Sequence, residues 1–263
     1  MSDAFWDLIS TAATAAIALM FLVWVLARRL NNAGIVDVAW SLGFAILAAI
    51  YFLLGEGDST RKLVICGMAA VWSLRLGGYL WVRVAGRHPE EDSRYAALRE
   101  QYPQHTWLMF FGLFQLQALL LVALSAPFAI AVMNPEVRLS MWEWGGMALW
   151  LVAMAGEALA DFQLHRFRSQ PGNNGRTCKA GLWRFSRHPN YFFEWLVWVA
   201  YFVFALGSPD GWITIYCPAL MLFFLLEVTG IPATEARALK SRGAEYREYQ
   251  RTTSVFVPWF PGR

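Results

Sequence analysis

Apolar residues in this chain fall into blocks of about 20, separated by short polar segments. Twenty residues of α-helix cover about 30 Å, the hydrocarbon thickness of a bilayer. The blocks predict seven spans, at about 6–27, 34–54, 63–84, 106–133, 142–165, 190–207 and 211–231. A backbone in lipid satisfies its own hydrogen bonds, so segments this apolar are helices. Strands of a membrane barrel would alternate with period two, and these blocks do not. The expected fold is all-α, an integral membrane bundle of about seven transmembrane helices forming one domain over 1–263, with an amphipathic tail over 232–263. Pro127 predicts a kink in the fourth span, and only Gly207-Ser208-Pro209-Asp210-Gly211 separates the sixth from the seventh.

Composition strengthens this picture. The 263 residues are 57% hydrophobic and 16% charged, against about a quarter charged in soluble domains. With the N-terminus outside, the cytoplasmic segments hold Arg28 and Arg29; Arg83, Arg87, Arg94 and Arg99; Arg166, Arg168, Arg176, Lys179, Arg184 and Arg187; and Arg237, Lys240, Arg242, Arg247, Arg251 and Arg263. These are eighteen of the 22 basic residues, the bias that sets membrane orientation. The net charge of +3 follows from that bias and implies no nucleic-acid partner. Cys66, Cys178 and Cys217 form no close pair, and no His-x-x-x-His or Cys-x-x-Cys spacing points to a metal. The start, Met1-Ser2-Asp3-Ala4-Phe5, lacks the basic region of a cleaved signal peptide, so the first span is expected to be retained.

Ionisable groups at membrane depth are costly and mark candidate sites. Asp37 opens the second span and Arg75 lies midway along the third; they read either as a structural pair or, for Asp37, as an acid that polarises a substrate. Glu157, Asp161, His165 and Arg168 share one face at the end of the fifth span. A polar loop follows, leading into Lys179, Arg184, Arg187, His188 and Pro189. Proline suits the first turn of a helix, so the sixth span begins there with its N-terminus directed at basic residues, an arrangement that suits phosphate or a lipid head group. Asn190 and Glu194 reach the same pocket. The tail from Glu235 and Arg237 to Trp259 is too polar to span and is expected on the cytoplasmic surface, as an anchor or a lid.

The stretch Gly181-Leu182-Trp183, Ser186-Arg187-His188-Pro189-Asn190-Tyr191 and Glu194 resembles the steroid 5α-reductase family, its bacterial branch above all. Val36-Asp37-Val38-Ala39-Trp40, Trp72-Ser73-Leu74-Arg75-Leu76, Glu91-Asp92-Ser93-Arg94-Tyr95 and the tail extend the likeness over nearly the whole chain. The resemblance implies seven helices around an NADPH pocket open to the cytoplasm of a bacterial inner membrane, a monomer, and an apolar substrate taken from the bilayer. It implies reduction of the 4,5 double bond of a 3-oxo-4-ene steroid or a related lipid enone. By position it assigns cofactor contacts to Asp161, His165, Arg168, Lys179, Arg184, His188, Asn190, Tyr191, Glu194, Glu235 and Arg237. Animal members hold the steroid ketone with a Gln-Glu pair in the second span and a Tyr in the third. The comparable positions here are Val36-Asp37 and Trp72, so a protonated Asp37 is expected to polarise the carbonyl, with Trp72 and Arg75 lining the substrate. A membrane methyltransferase of the isoprenylcysteine carboxyl methyltransferase type, using S-adenosylmethionine, shares the Arg-His-Pro core and is the alternative. A lipid-binding scaffold without activity is the other competitor.

Overall fold

The structure is a computed structural model that describes residues 2–228 and 230–262. Met1, and Arg263 among the tail cations, lie outside the described residues. Ten α-helices and no strands occur among the described residues. They are α1 (Asp3–Leu30), α2 (Ile35–Leu54), α3 (Ser59–Ala85), α4 (Ser93–Gln101), α5 (Thr106–Leu124), α6 (Ala126–Ala131), α7 (Met141–Arg168), α8 (Pro189–Ala205), α9 (Tyr216–Phe223) and α10 (Ile231–Thr252). Among the described residues, six helical runs are long and apolar enough to cross a membrane: Asp3–Leu30, Ile35–Leu54, Ser59–Ala85, Thr106–Ala131, Met141–Arg168 and the apolar part of Gly211–Thr252. The chain is thus a multi-pass membrane protein. The remaining expected span, the sixth at 190–207, is α8, whose 17 residues cover about 25 Å.

The chain divides into two compact units, Met1–Ser140 with Ala205–Trp212, and Met141–Phe204 with Ile213–Arg263. In the first unit, α2 packs against α1, α3 and α5. Small residues permit the close approach: a Cβ on Gly77 would sit 2.5 Å from Leu42, and one on Gly43 would sit 2.6 Å from Leu121. Ser73 of α3 inserts into the α2 ladder, donating to the Ser41 carbonyl at 2.5 Å and accepting from the Ala45 N–H at 3.0 Å. Tyr51 of α2 meets Ser125 at 2.7 Å. Ser125 is also the joint between α5 and α6, and Pro127 stands in the first turn of α6, where its missing N–H breaks no bond. Arg61 is fully buried and donates to the carbonyls of Asn134, Glu136 and Arg138, tying the start of α3 to the segment after α6.

In the second unit α7 and α8 run antiparallel. Trp150 donates to the Tyr201 hydroxyl at 3.2 Å, and Asn190 donates to Asp161 at 3.4 Å, so α8 advances as α7 recedes. Gly156 faces Phe193, and Gly146 faces the Phe204 backbone, where a Cβ would lie 2.7 Å from the amide nitrogen. After α9 a π-helical turn, Phe224–Val228, ends the apolar run. α10 begins beyond Gly230 and carries Glu235, Arg237, Lys240, Arg242, Glu245, Arg247, Glu248 and Arg251, too many charges for a span. It therefore lies outside the membrane-spanning segment. It bends at Gly243, whose φ of 54° and ψ of −120° favour a residue without Cβ.

Gly146→Ala is expected to lower stability by about 1–3 kcal/mol, because the methyl meets backbone that cannot rotate away. Gly145→Ala, with Val203 at 3.9 Å, should be neutral or stabilising. Thermal unfolding in detergent distinguishes the two.

Candidate functional site

Each unit holds one polar centre. In the first, Asp37 stands in the opening turn of α2. Its Oδ1 accepts from the Tyr95 hydroxyl at 2.6 Å, and its Oδ2 accepts from Arg94 at 2.6 Å and Arg83 at 3.5 Å. Arg94 and Tyr95 are available because Asp92 caps α4, accepting from the Arg94 backbone N–H at 3.1 Å and its Nε at 3.0 Å. Burial raises the Asp92 carboxyl, but the Arg94 hydrogen bonds and charge outweigh it and hold the group below its ordinary range. Burial and the Asp37 charge push the Tyr95 phenol well up, which keeps its proton on the oxygen that donates to Asp37. Glu91 fixes the preceding loop, accepting from the Ala33 N–H at 2.6 Å and from Arg99 at 2.9 and 3.0 Å.

Asp37 was expected to give a proton to a substrate carbonyl beside Trp72. In the structure both its oxygens accept hydrogen bonds, from Tyr95, Arg94 and Arg83, which ties the end of α3 and α4 to the start of α2. Trp72 is fully buried and packs edge-on against Phe44 at 5.2 Å. Phe44 lies seven residues along α2 from Asp37, about 10 Å away, so Trp72 belongs to a deeper layer. Arg75, one turn further along α3, is half-buried. Arg94 and Tyr95 were named within the Glu91-Asp92-Ser93-Arg94-Tyr95 stretch of the family resemblance, with Arg94 also among the basic loop residues.

In the second unit, α7 and α8 bring carboxylates and amides together at membrane depth. Asp161 and Asn190 are bonded, and Glu194, 9% exposed, accepts from Trp198 at 3.2 Å. Glu157, 5% exposed, lies one turn from Asp161 on the same face of α7. Below them the loop before α8 is locked onto α7: the Trp183 indole donates to the Ala160 carbonyl at 2.9 Å, and Gln163 accepts from the Leu182 N–H at 2.9 Å.

The C-terminal segment closes over this loop. The Arg187 N–H donates to the Ser254 carbonyl at 2.8 Å, the Trp259 N–H to the Phe185 carbonyl at 2.8 Å, and the Ser186 hydroxyl to the Phe256 carbonyl at 2.8 Å. Tyr249 donates to the carbonyls of Trp183 and Ser186. Glu235 of α10 gathers Arg187 at 2.6 Å, Gln250 at 2.7 Å, His188 at 3.2 Å and Tyr246 at 3.3 Å. Burial raises the Glu235 carboxyl, but the bonds from His188, Arg187 and Gln250 prevail and bring it down to about 2. The Arg187 guanidinium also donates to the carbonyls of Gln250 and Thr253. His188 stacks on Tyr191 with ring centroids 5.4 Å apart, and Tyr191 meets Thr234 at 3.2 Å.

The expected cofactor contacts thus separate into three sets. Asp161, Asn190 and Glu194 line the α7–α8 seam. His188, Tyr191 and Glu235 are engaged in docking α10. His165, Arg168, Lys179, Arg184 and Arg237 are exposed. Of these, Lys179 lies 5.8 Å over the Tyr249 ring, and Arg168, together with Arg242, is near enough to Cys178 to act on its thiol. Arg237 donates to the Ala233 carbonyl of its own helix. Arg187 was named among the basic residues before α8 as a group suited to phosphate, and here it pairs with Glu235; Gln250, which completes the cluster, was not singled out.

A family profile whose description is "Protein of unknown function (DUF1295)" matches residues 23–253, a range that contains both polar centres. The chain belongs to the DUF1295 family. It is also similar to a protein of Schizosaccharomyces pombe (strain 972 / ATCC 24843), Uncharacterized protein C594.04c, with 26% identity over 270 residues covering 91% of this chain and 76% of the other. No solved structure matches.

In this DUF1295 protein, Glu235→Ala is expected to cost about 2–4 kcal/mol in the docking of α10, since it strands the Arg187 guanidinium. The folded carboxyl titrates near 2, below its ordinary 4.5. Its contribution is therefore complete above about pH 4.5 and drains away as the pH falls towards 2. Hydrogen exchange of 231–252 as a function of pH should show that loss in the parent and not in Glu235→Gln.

Proposed function

We propose that the protein is a membrane-embedded reductase of the steroid 5α-reductase kind, using NADPH to reduce the 4,5 double bond of a 3-oxo-4-ene steroid or a related lipid enone. The observation that carries this reading is the α7–α8 seam, where Asp161 is bonded to Asn190 and Glu194 is buried one turn further along α8. Such groups are expensive in lipid and are kept for a purpose. Their chemistry fits a nicotinamide: two carboxylates accept from the carboxamide NH2, and the Asn190 amide donates to its oxygen. Exposed Arg168, Lys179 and Arg184 fit the phosphates of the same molecule. S-adenosylmethionine carries no phosphate and would have less use for these cations.

NADPH would supply the hydride, and the protein would orient the two reactants, exclude water and stabilise charge. Asp161, Asn190 and Glu194 would hold the carboxamide and so fix which ring face meets the substrate. The docked α10 would keep the loop before α8 in place beneath it. The bias of Lys and Arg among the loops supports an orientation with the N-terminus outside and the loop before α8 in the cytoplasm.

The test is NADPH oxidation by the purified protein in detergent, with and without progesterone. Steroid-dependent oxidation is expected, falling about a hundredfold in Asp161→Ala and Glu194→Ala, with Asn190→Ala raising the KM for NADPH. Binding of NADPH without turnover would move the substrate to another class. Failure to bind NADPH, with binding of S-adenosylmethionine in its place, would overturn the reductase and favour the methyltransferase.

A further inference from the structure

Two buried donors in the first unit, the Trp40 indole N–H and the Gln115 side-chain amide nitrogen, have no hydrogen-bond partner among the described residues. In hydrocarbon an unmet donor costs several kcal/mol per group, so two of them on neighbouring helices call for an acceptor. They stand on α2 and α5, two helices that pack against each other. One turn beyond Trp40, a Cβ on Gly43 would sit 2.6 Å from Leu121 of α5 and 3.4 Å from Leu19 of α1. Towards the other end, Trp24 of α1 lies edge-on to Phe111 of α5 at 5.4 Å and donates to the Trp107 carbonyl at 2.8 Å. Tyr95, bound to Asp37, lies 6.2 Å from Phe110. Trp40 falls between Asp37 and Gly43 on α2, and Gln115 falls between Phe111 and Leu121 on α5, so the two donors share one depth.

We propose that Trp40 Nε1 and Gln115 Nε2 receive the carbonyl oxygen of an apolar ketone entering from the bilayer. A ketone oxygen offers two lone pairs and brings no donor of its own to satisfy. A carboxylate would carry a full charge into the span. Aromatic side chains flank the two donors: Trp40 lies edge-on to Phe44 at 4.9 Å, and Phe110 and Phe114 lie 6.4 Å apart on α5. Leu116, beside Gln115, is 51% exposed, so lipid is one side chain away. That this ketone is the enone being reduced rests on the reductase reading. Two neutral donors would then stabilise the negative charge that collects on the oxygen, a task Asp37 cannot perform with both its oxygens accepting.

The test compares testosterone with its 3-deoxy analogue, by equilibrium dialysis against the full chain in detergent without NADPH. The parent should prefer testosterone by about tenfold. Trp40→Phe and Gln115→Leu should each weaken testosterone by about three- to tenfold and leave the analogue within about twofold, so that the double variant shows no preference. A parent that binds both steroids equally or neither, or variants that lose both in parallel, would overturn the assignment. NADPH oxidation with testosterone that persists unchanged in the double variant would also overturn it, while leaving the reductase standing. A preference that disappears in the double variant of a protein inert towards NADPH would keep the ketone site and remove the reductase.

Discussion

A carboxylate drawn to the edge of the hydrocarbon has to be met by donors, and in this protein each donor comes from a different stretch of chain. Asp37 is met by Arg83, Arg94 and Tyr95, which obliges the end of α3 and the whole of α4 to assemble at the start of α2. Asp161 is met by Asn190, which sets α8 against α7. Packing alone would leave two apolar helices free to slide, because lipid solvates leucine as well as leucine does. The polar pairs remove that freedom.

The same requirement explains the C-terminal segment. The loop before α8 carries backbone carbonyls and N–H groups at the membrane face, where no helix ladder satisfies them. Tyr249 serves the Trp183 and Ser186 carbonyls, while Ser254 and Phe185 pair through the backbone with Arg187 and Trp259. Glu235 then binds Arg187, whose side chain reaches back to the Gln250 and Thr253 carbonyls. The tail is thus part of the wall that positions His188 and Asn190, rather than a loose anchor.

Where donors are not met, the molecule carries a cost that its fold does not need. Trp40 stands about one turn beyond Asp37 on α2, whose two oxygens are met by donors, and Gln115 stands on the neighbouring α5. Satisfied clusters hold helices together and unsatisfied ones await a ligand, and this division separates structural from binding polarity in the first unit. Asp37, the most conspicuous acid in the second span, falls on the structural side of it.

The chain by itself determined the all-helical class, most of the span boundaries and the break at Pro127, and it marked the ionisable groups within the spans. Hydropathy over 20 residues and the spacing of ionisable groups along one helix are local properties, and they are legible without a partner. It did not single out Arg61, whose side chain is buried against three carbonyls. It placed Trp72 beside Asp37, although α3 runs past α2 in the register set by Gly77 on Leu42 and Ser73 on Ser41. It grouped Glu235 with the cofactor contacts, although that carboxylate is occupied by Arg187, His188, Gln250 and Tyr246. Only the tertiary structure decided these, because whether a polar group is taken or available depends on which distant donor the helix register brings to it.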